Sequence, residues 1–296
     1  MTAIKTNLQQ WIGSRMSAHD TVNPAPAIAM AATLDRLCPA IGGPLPPLWH
    51  WLYFLSMTPT AALAVDGHAG RGEFLPPIDL PRRMWAGSRF QFHQPLLLGE
   101  AVRRDSHIAN IVSKQGRSGE LAIVTVVHEI YDGKGLAITE EQDIVYREAP
   151  RVNNPSAEPV PASTAAQWSH SRIADPVLLF RYSALTFNAH RIHYDHPYAT
   201  GAEAYPGLVV HGPLILTLLV DSLLQEHPTA IVKTLHMRAL RPLFEGQRFL
   251  LQGCLSADEN KAQMWSLDDQ AAVTMQVDVS LAGIGEPFTN RSRVVF

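Results

Sequence analysis

Residues 207–224 read GLVVHGPLILTLLVDSLL, and the way this stretch must be packed decides the fold. Pro213 fits the first turn of a helix, because the N–H it lacks would have no intrahelical acceptor there. From Leu214 to Leu224 apolar residues occupy nearly every side, so the helix has to be wrapped on most of its faces. His211, Pro213 and Asp221 lie inside the apolar run, which makes it a core helix and not a membrane span. A curved antiparallel sheet can wrap a helix in this way. The chain supplies candidate strands at Ile123–Tyr131 (IVTVVHEIY) and Val273–Leu281 (VTMQVDVSL). Both alternate between apolar and polar residues as half-buried strands do.

The arrangement occurs twice. Residues 149–165, APRVNNPSAEPVPASTA, carry four prolines and few large apolar groups, and read as an exposed linker. On either side Gly43-Pro44-Leu45 matches Gly212-Pro213-Leu214, and Gln94-Pro95-Leu96 with Gly99 matches Arg241-Pro242-Leu243 with Gly246. Each half thus predicts one long helix, Leu45–Leu55 or Leu214–Leu224, followed by antiparallel strands: an α+β double hot-dog. Residues 1–148 form the first hot-dog and 166–296 the second. The first half has 50 residues between Leu45 and Pro95, against 29 between Leu214 and Leu243. The excess includes residues 57–80, MTPTAALAVDGHAGRGEFLPPIDL, a loop that either covers a substrate or is a surface excursion.

Composition narrows the function. With 46% hydrophobic and 17% charged residues the chain can bury a sizeable core. A net charge of -3 leaves no global basic field, so nucleic acid is not an expected partner. Cys38 and Cys254 have no paired spacing and are expected as free thiols in a cytoplasmic protein. The N-terminal MTAIKTNLQQWIG lacks the apolar segment of a secretory signal, and neither membrane nor metal is expected.

Chemistry concentrates at residues 181–221, where histidines stand at 190, 193, 196 and 211. His190, His193 and His196 would share a helix face only if Pro197 allowed a helix, and only Asp195 and Glu203 lie near as carboxylates. Acid–base chemistry is the better reading. An imidazole beside the N-terminus of the 212–224 helix would meet the Gly212 N–H, which can hold a developing oxyanion.

Four segments then carry a family resemblance: SALTFNAHRIHYD (183–195), YPGLVVHGPL (205–214), MWAGSRFQFHQPLLLGE (84–100) and MRALRPLFEGQRF (237–249). Together they resemble the MaoC-like, (R)-specific enoyl-CoA hydratase superfamily. More closely, they resemble its double hot-dog branch with mitochondrial 3-hydroxyacyl-thioester dehydratase type 2 and the bacterial mesaconyl-CoA and itaconyl-CoA hydratases. The resemblance implies hydration or dehydration of an acyl-CoA thioester with no separate cofactor, since coenzyme A is part of the substrate. It also leaves open a homodimer of double hot-dogs. Laid on the superfamily signature Asp-x-Asn-Pro-x-His, His193 takes the catalytic histidine's place, Asn188 the aspartate's, His190 the asparagine's and Arg191 the proline's. An amide cannot act as a base at neutral pH but can orient water, so His193 is expected to carry the proton transfer.

Twenty and twenty-five residues before Pro44 stand Pro24 and His19, so the first half has no titratable group at the main catalytic position. One site per chain is expected. Candidate substrate contacts are Arg191, Arg238, His211 and Tyr194, although His211 reads better as an ordinary capping or buried residue. Candidates for the coenzyme's phosphates are Arg82 and Arg83. A short branched dicarboxylic thioester is the first expected substrate and a straight-chain 3-hydroxyacyl thioester the second. A thioesterase, which would need a carboxylate poised at the helix start while Asp221 lies about two and a half turns from Gly212, and a non-catalytic acyl-CoA-binding protein are the other classes.

Overall fold

The computed structural model describes residues 7–116, 119–148, 160–162 and 164–284. Most of the expected linker, 149–159 and 163, lies outside the described residues. Among the described residues ten antiparallel strands form one sheet. In chain order they are β1 (Arg15–Thr21), β2 (Arg82–Phe92), β3 (Ala101–Gly116), β4 (Gly119–Asp132), β5 (Gly135–Arg147), β6 (Trp168–Ile173), β7 (Ala230–Ala239), β8 (Arg248–Leu255), β9 (Lys261–Leu267) and β10 (Val273–Ile284). Their order across the sheet is β1-β3-β4-β5-β2-β7-β10-β9-β8-β6. The strands of each half are therefore contiguous, and the halves join where Gly87–Gln91 of β2 pairs with Thr234–Arg238 of β7. This is the double hot-dog, with the first half lacking its long helix.

Among the described residues three α-helices accompany the sheet: α1 (Pro24–Leu34), α2 (Pro176–Leu185) and α3 (Gly212–Glu226). Helix α3 is the wrapped helix of the second half and packs on β7, β8, β9 and β10. Leu214, Leu216, Leu219 and Leu223 are fully buried, each contributing about 1.5–3 kcal/mol relative to exposure. Its mid-helix carboxylate, Asp221, is neutralised by Arg36 through two 2.9 Å bonds.

The first half corrects the expectation. No α-helix covers Leu45–Leu55; only a single 3-10 turn, Trp49–Leu52, forms there. Pro46 and Pro47 follow too closely on Pro44 for a helical ladder to start, and Leu48 (φ 71°) and Phe54 (φ 56°) turn the chain through left-handed conformations. Leu45, Leu48, Trp49, Leu52, Tyr53 and Phe54 are nevertheless buried in the same core as α3. The apolar pattern marked burial correctly and conformation wrongly.

A clearer repeat lies just upstream. Each half begins with a strand, an Asx residue and a proline-led helix: β1–Asn23–Pro24 and β6–Asp175–Pro176. The Asn23 side chain accepts from Ala25 N and that of Asp175 from Leu178 N, capping α1 and α2. The two helices pack against each other. Among the described residues no helix is long and apolar enough to cross a membrane, and both cysteines are free.

Candidate active site

A cavity of about 1270 Å³ opens between the halves. Its second-half wall includes Asn188, His190, His193, Tyr194 and Gly212, and its first-half wall Trp51, Asp66, His68, Arg82, Arg83 and Trp85. His193 ends a 3-10 turn, Arg191–His193, and is buried. Its Nδ1 lies 2.7 Å from the Val209 carbonyl oxygen. A carbonyl only accepts, so Nδ1 carries the hydrogen and Nε2 is left as the basic nitrogen. Burial lowers the His193 pKa to about 4, against the opposing pull of the Val209 bond. The ring is thus neutral at pH 7 and competent to take a proton.

Gly212 is the first residue of α3, where the backbone N–H has no intrahelical acceptor and the helix dipole is positive. A Cβ here would sit 2.9 Å from the Trp85 ring. Glycine is therefore required for close packing as well as open access. His211 does not line the cavity; it stands behind His193, rings stacked at 3.7 Å, with Nε2 2.8 Å from Ser183 Oγ. Burial, then the neighbouring imidazoles, holds its pKa well below the ordinary value.

Asn188 lines the cavity, but its Oδ1 accepts the His190 N–H at 3.0 Å, so its carbonyl is committed to a local turn. Tyr194 also reaches the cavity, half-exposed, with its hydroxyl donating to Ala189 O at 3.0 Å. Two expected arginines are not brought to it. Arg191 grips Asp195 at 2.7 Å, lies over the Tyr198 ring and donates to Val65 O, tying two loops together. Arg238 sits on the outward face of β7 and donates to Gln276, because the alternation that buries Leu235 and Met237 turns it away. Arg82 lines the cavity but is held by Glu203 and stacked on Tyr205. Arg83 forms no ion pair among the described residues. It lies close enough to His68 and His190 for its charge to oppose their protonation.

The sequence reading missed Asp66 and His68, which belong to the extra loop 57–80. The loop turns tightly, with Ala64 N bonded to His68 O at 2.7 Å and Gly67 N to Ala64 O at 2.9 Å. It docks on the second half: Arg191 N donates to Asp66 O at 2.9 Å, and the Gly67 backbone presses against Ala189. Asp66 accepts from the His68 backbone N–H at 3.0 Å and lies 3.1 Å from its Nδ1. Burial disfavours the Asp66 charge, yet these bonds outweigh it and hold the carboxyl well below its usual range. Burial also lowers His68, and Asp66 only partly offsets it. The His68 ring lies 4.1 Å from that of His190, which is 5.4 Å from that of His193. Asp66, His68 and His190 also have donor atoms within 4.8 Å of one another. The only sequence signal was VDGH inside a Gly- and Pro-rich excess.

Comparison with known proteins places this geometry. A profile of the family described as hydroxyacyl-thioester dehydratase type 2 matches residues 48–245, well over half the chain. The chain belongs to this family. Among curated members, a mesaconyl-C(4)-CoA hydratase of Chloroflexus aurantiacus is 46% identical over 278 residues, covering 91% of this chain and 96% of the relative. The mitochondrial hydroxyacyl-thioester dehydratase type 2 of Schizosaccharomyces pombe is 28% identical, covering 77% and 88%. The fold matches a MaoC-like dehydratase from Phytophthora capsici at TM-score 0.64 and 13% identity, covering 92% and 97%. A Mycobacterium tuberculosis protein described as a double hotdog fold matches at 0.58 and 12%, covering 91% and 96%. As a hydroxyacyl-thioester dehydratase type 2 relative, the chain is a hydro-lyase, a hydratase/dehydratase of acyl-CoA.

Proposed function

We propose that the enzyme hydrates a short, branched, dicarboxylic enoyl-CoA of the mesaconyl-C4-CoA kind. The observation that carries the reading is the 46% identity, along 91% of the chain, to a mesaconyl-C(4)-CoA hydratase. Neutral His193 takes a proton from water, whose oxygen bonds to the β carbon. Charge moving onto the thioester oxygen is met by the Gly212 N–H, and the His193 imidazolium returns the proton to the α carbon. Arg83, an arginine of the wall with no carboxylate partner among the described residues, is the group for the substrate's free carboxylate. It takes over the part expected of Arg191.

An itaconyl-CoA substrate and a straight-chain 3-hydroxyacyl thioester are the competing readings within the same chemistry. The Arg83 guanidinium beside the histidines favours an anionic acyl group over a straight alkyl chain. A thioesterase is disfavoured because Asp221 is bound to Arg36 and does not line the cavity. Loss of enoyl absorbance over a panel of CoA thioesters tests the proposal. Fastest hydration of mesaconyl-C4-CoA supports it; faster turnover of crotonyl-CoA, or thiol release without hydration, refutes it.

A further inference from the structure

Hydration needs the attacking water held at two points, so that one O–H is broken while the other is fixed and the oxygen lone pair faces the β carbon. His193 can serve one point. Asn188 stands where the superfamily has its second group, but its carbonyl is already bonded to the His190 N–H. With one of its two lone pairs taken, the Asn188 oxygen is a weaker acceptor for that water, and a stronger one stands elsewhere in the cavity wall.

Loop 57–80 of the first half places one there. His68 lines the same cavity as His193; the His190 ring stands 4.1 Å from His68 and 5.4 Å from His193, and the charge of His68 is felt at His193. Its Nδ1 is 3.1 Å from Asp66 Oδ2. A carboxylate accepts, so Nδ1 carries the hydrogen and Nε2 offers a lone pair, as in a carboxylate–imidazole dyad. The position is built and not accidental. Asp66 O receives the Arg191 N–H, Val65 O receives the Arg191 guanidinium at 3.1 Å, and the turn touches Ala189. The loop is thereby fastened to the very turn that carries His193.

We propose that His68, oriented by Asp66, is the second catalytic group of the hydration, its Nε2 accepting one O–H of the attacking water while His193 removes the other proton. The inference rests on the hydratase reading. In the balanced step, the O–H bond facing His193 breaks, its electron pair forms the bond to the β carbon, and the π pair moves into the thioester enolate. The imidazolium of His193 then protonates the α carbon. The hydrogen held by His68 stays on oxygen and leaves as the product's hydroxyl hydrogen. Asp66 acts through His68 as a positioning residue. The active site is in this view shared between the halves, with the first half supplying a catalytic group from an insertion and not from its repeat position.

The experiment is steady-state hydration of mesaconyl-C4-CoA by wild type, His68→Ala, His68→Gln and Asp66→Asn, with thermal midpoints and metal content measured on each. The expected result is a fall of about 100-fold in kcat for His68→Ala, with KM changed less than about threefold. Imidazole added to His68→Ala should restore part of the rate, which a merely structural role would not permit. His68→Gln, which keeps an acceptor, should lie between Ala and wild type, and Asp66→Asn should lower kcat about tenfold. Wild-type turnover combined with unchanged kcat in His68→Ala overturns the proposal while leaving the hydratase reading intact. A loss confined to KM also overturns it, making His68 a contact to the substrate carboxylate only. Equimolar transition metal that His68→Ala loses overturns it too, since Asp66, His68 and His190 would then be ligands. Failure of wild type to hydrate any enoyl thioester overturns both readings together.

Discussion

Replacing Gly67 by alanine separates the docking of loop 57–80 from the stability of the fold. Gly67 has φ 89°, a conformation in which a Cβ costs about 1–2 kcal/mol. Its Cβ would also lie 1.8 Å from the Ala189 carbonyl oxygen. Relief to an ordinary contact requires the turn to retreat by roughly 1.5 Å, enough to strain or break the Arg191 bonds to Asp66 O and Val65 O. Those bonds are worth about 1 kcal/mol each. The total, about 3–4 kcal/mol, falls on one loop, so the loop should undock locally while the sheet and α3 stay folded. Displacing Asp66 and His68 by more than 1 Å should cost about 100-fold in turnover. The control lies three residues away: at Gly70 a Cβ would meet nothing closer than 3.8 Å and φ is not left-handed. Hydration rates and thermal midpoints of Gly67→Ala and Gly70→Ala provide the assay. Wild-type kcat in Gly67→Ala, or equal damage from Gly70→Ala, would refute the docking argument.

His193→Ala should lower kcat by about a hundred- to ten-thousandfold, because the neutral imidazole that lines the cavity with Gly212 is lost; full turnover in the variant would remove His193 from the mechanism. Arg83→Gln should raise KM for a dicarboxylic thioester by about 10- to 100-fold, the worth of a charge-assisted pair, and leave crotonyl-CoA no worse. Equal effects on both substrates would deny Arg83 its carboxylate role. Stability should fall in mild acid. An unfolded His193 binds a proton near pH 6.5, whereas the folded ring stays neutral down to about 4, so its penalty is absent above 6.5, grows to about 2 kcal/mol by pH 5 and about 3 kcal/mol by pH 4, and then levels. His190, lowered to about 2, acts in the same direction. Urea midpoints at pH 7.5 and pH 5 measure this, and equal values would show that the imidazoles are not buried neutral.

How much was legible depended on whether the deciding physics was local. Helix α3 could be read because a proline-led apolar run long enough for a helix has few other solutions. The run at Leu45–Leu55 looked alike and was buried alike, but Pro46 and Pro47 control its backbone, and hydrophobic patterning reports burial before conformation. His193 and Gly212 stood out because the turn and helix that position them are contiguous in sequence. Strand parity could have excluded Arg238: Leu235 and Met237 face the core, so Arg238 faces outward. Arg191 could not be judged locally, since its guanidinium answers to Asp195 and to Val65 of the other half. Asp66 and His68 were hidden for the same reason. Nothing near them in the chain reveals that their loop folds onto Ala189.

The central claim, that this family member hydrates a branched dicarboxylic thioester with His193 as its base, is tested most directly by one spectrophotometric comparison. Wild type and His193→Ala are each given mesaconyl-C4-CoA, and loss of the conjugated enoyl absorbance is followed against crotonyl-CoA. The account predicts rapid loss with wild type, slower loss with crotonyl-CoA, and loss reduced at least about a hundredfold in the variant. Equal rates in wild type and variant, or a wild-type preference for crotonyl-CoA, would contradict it.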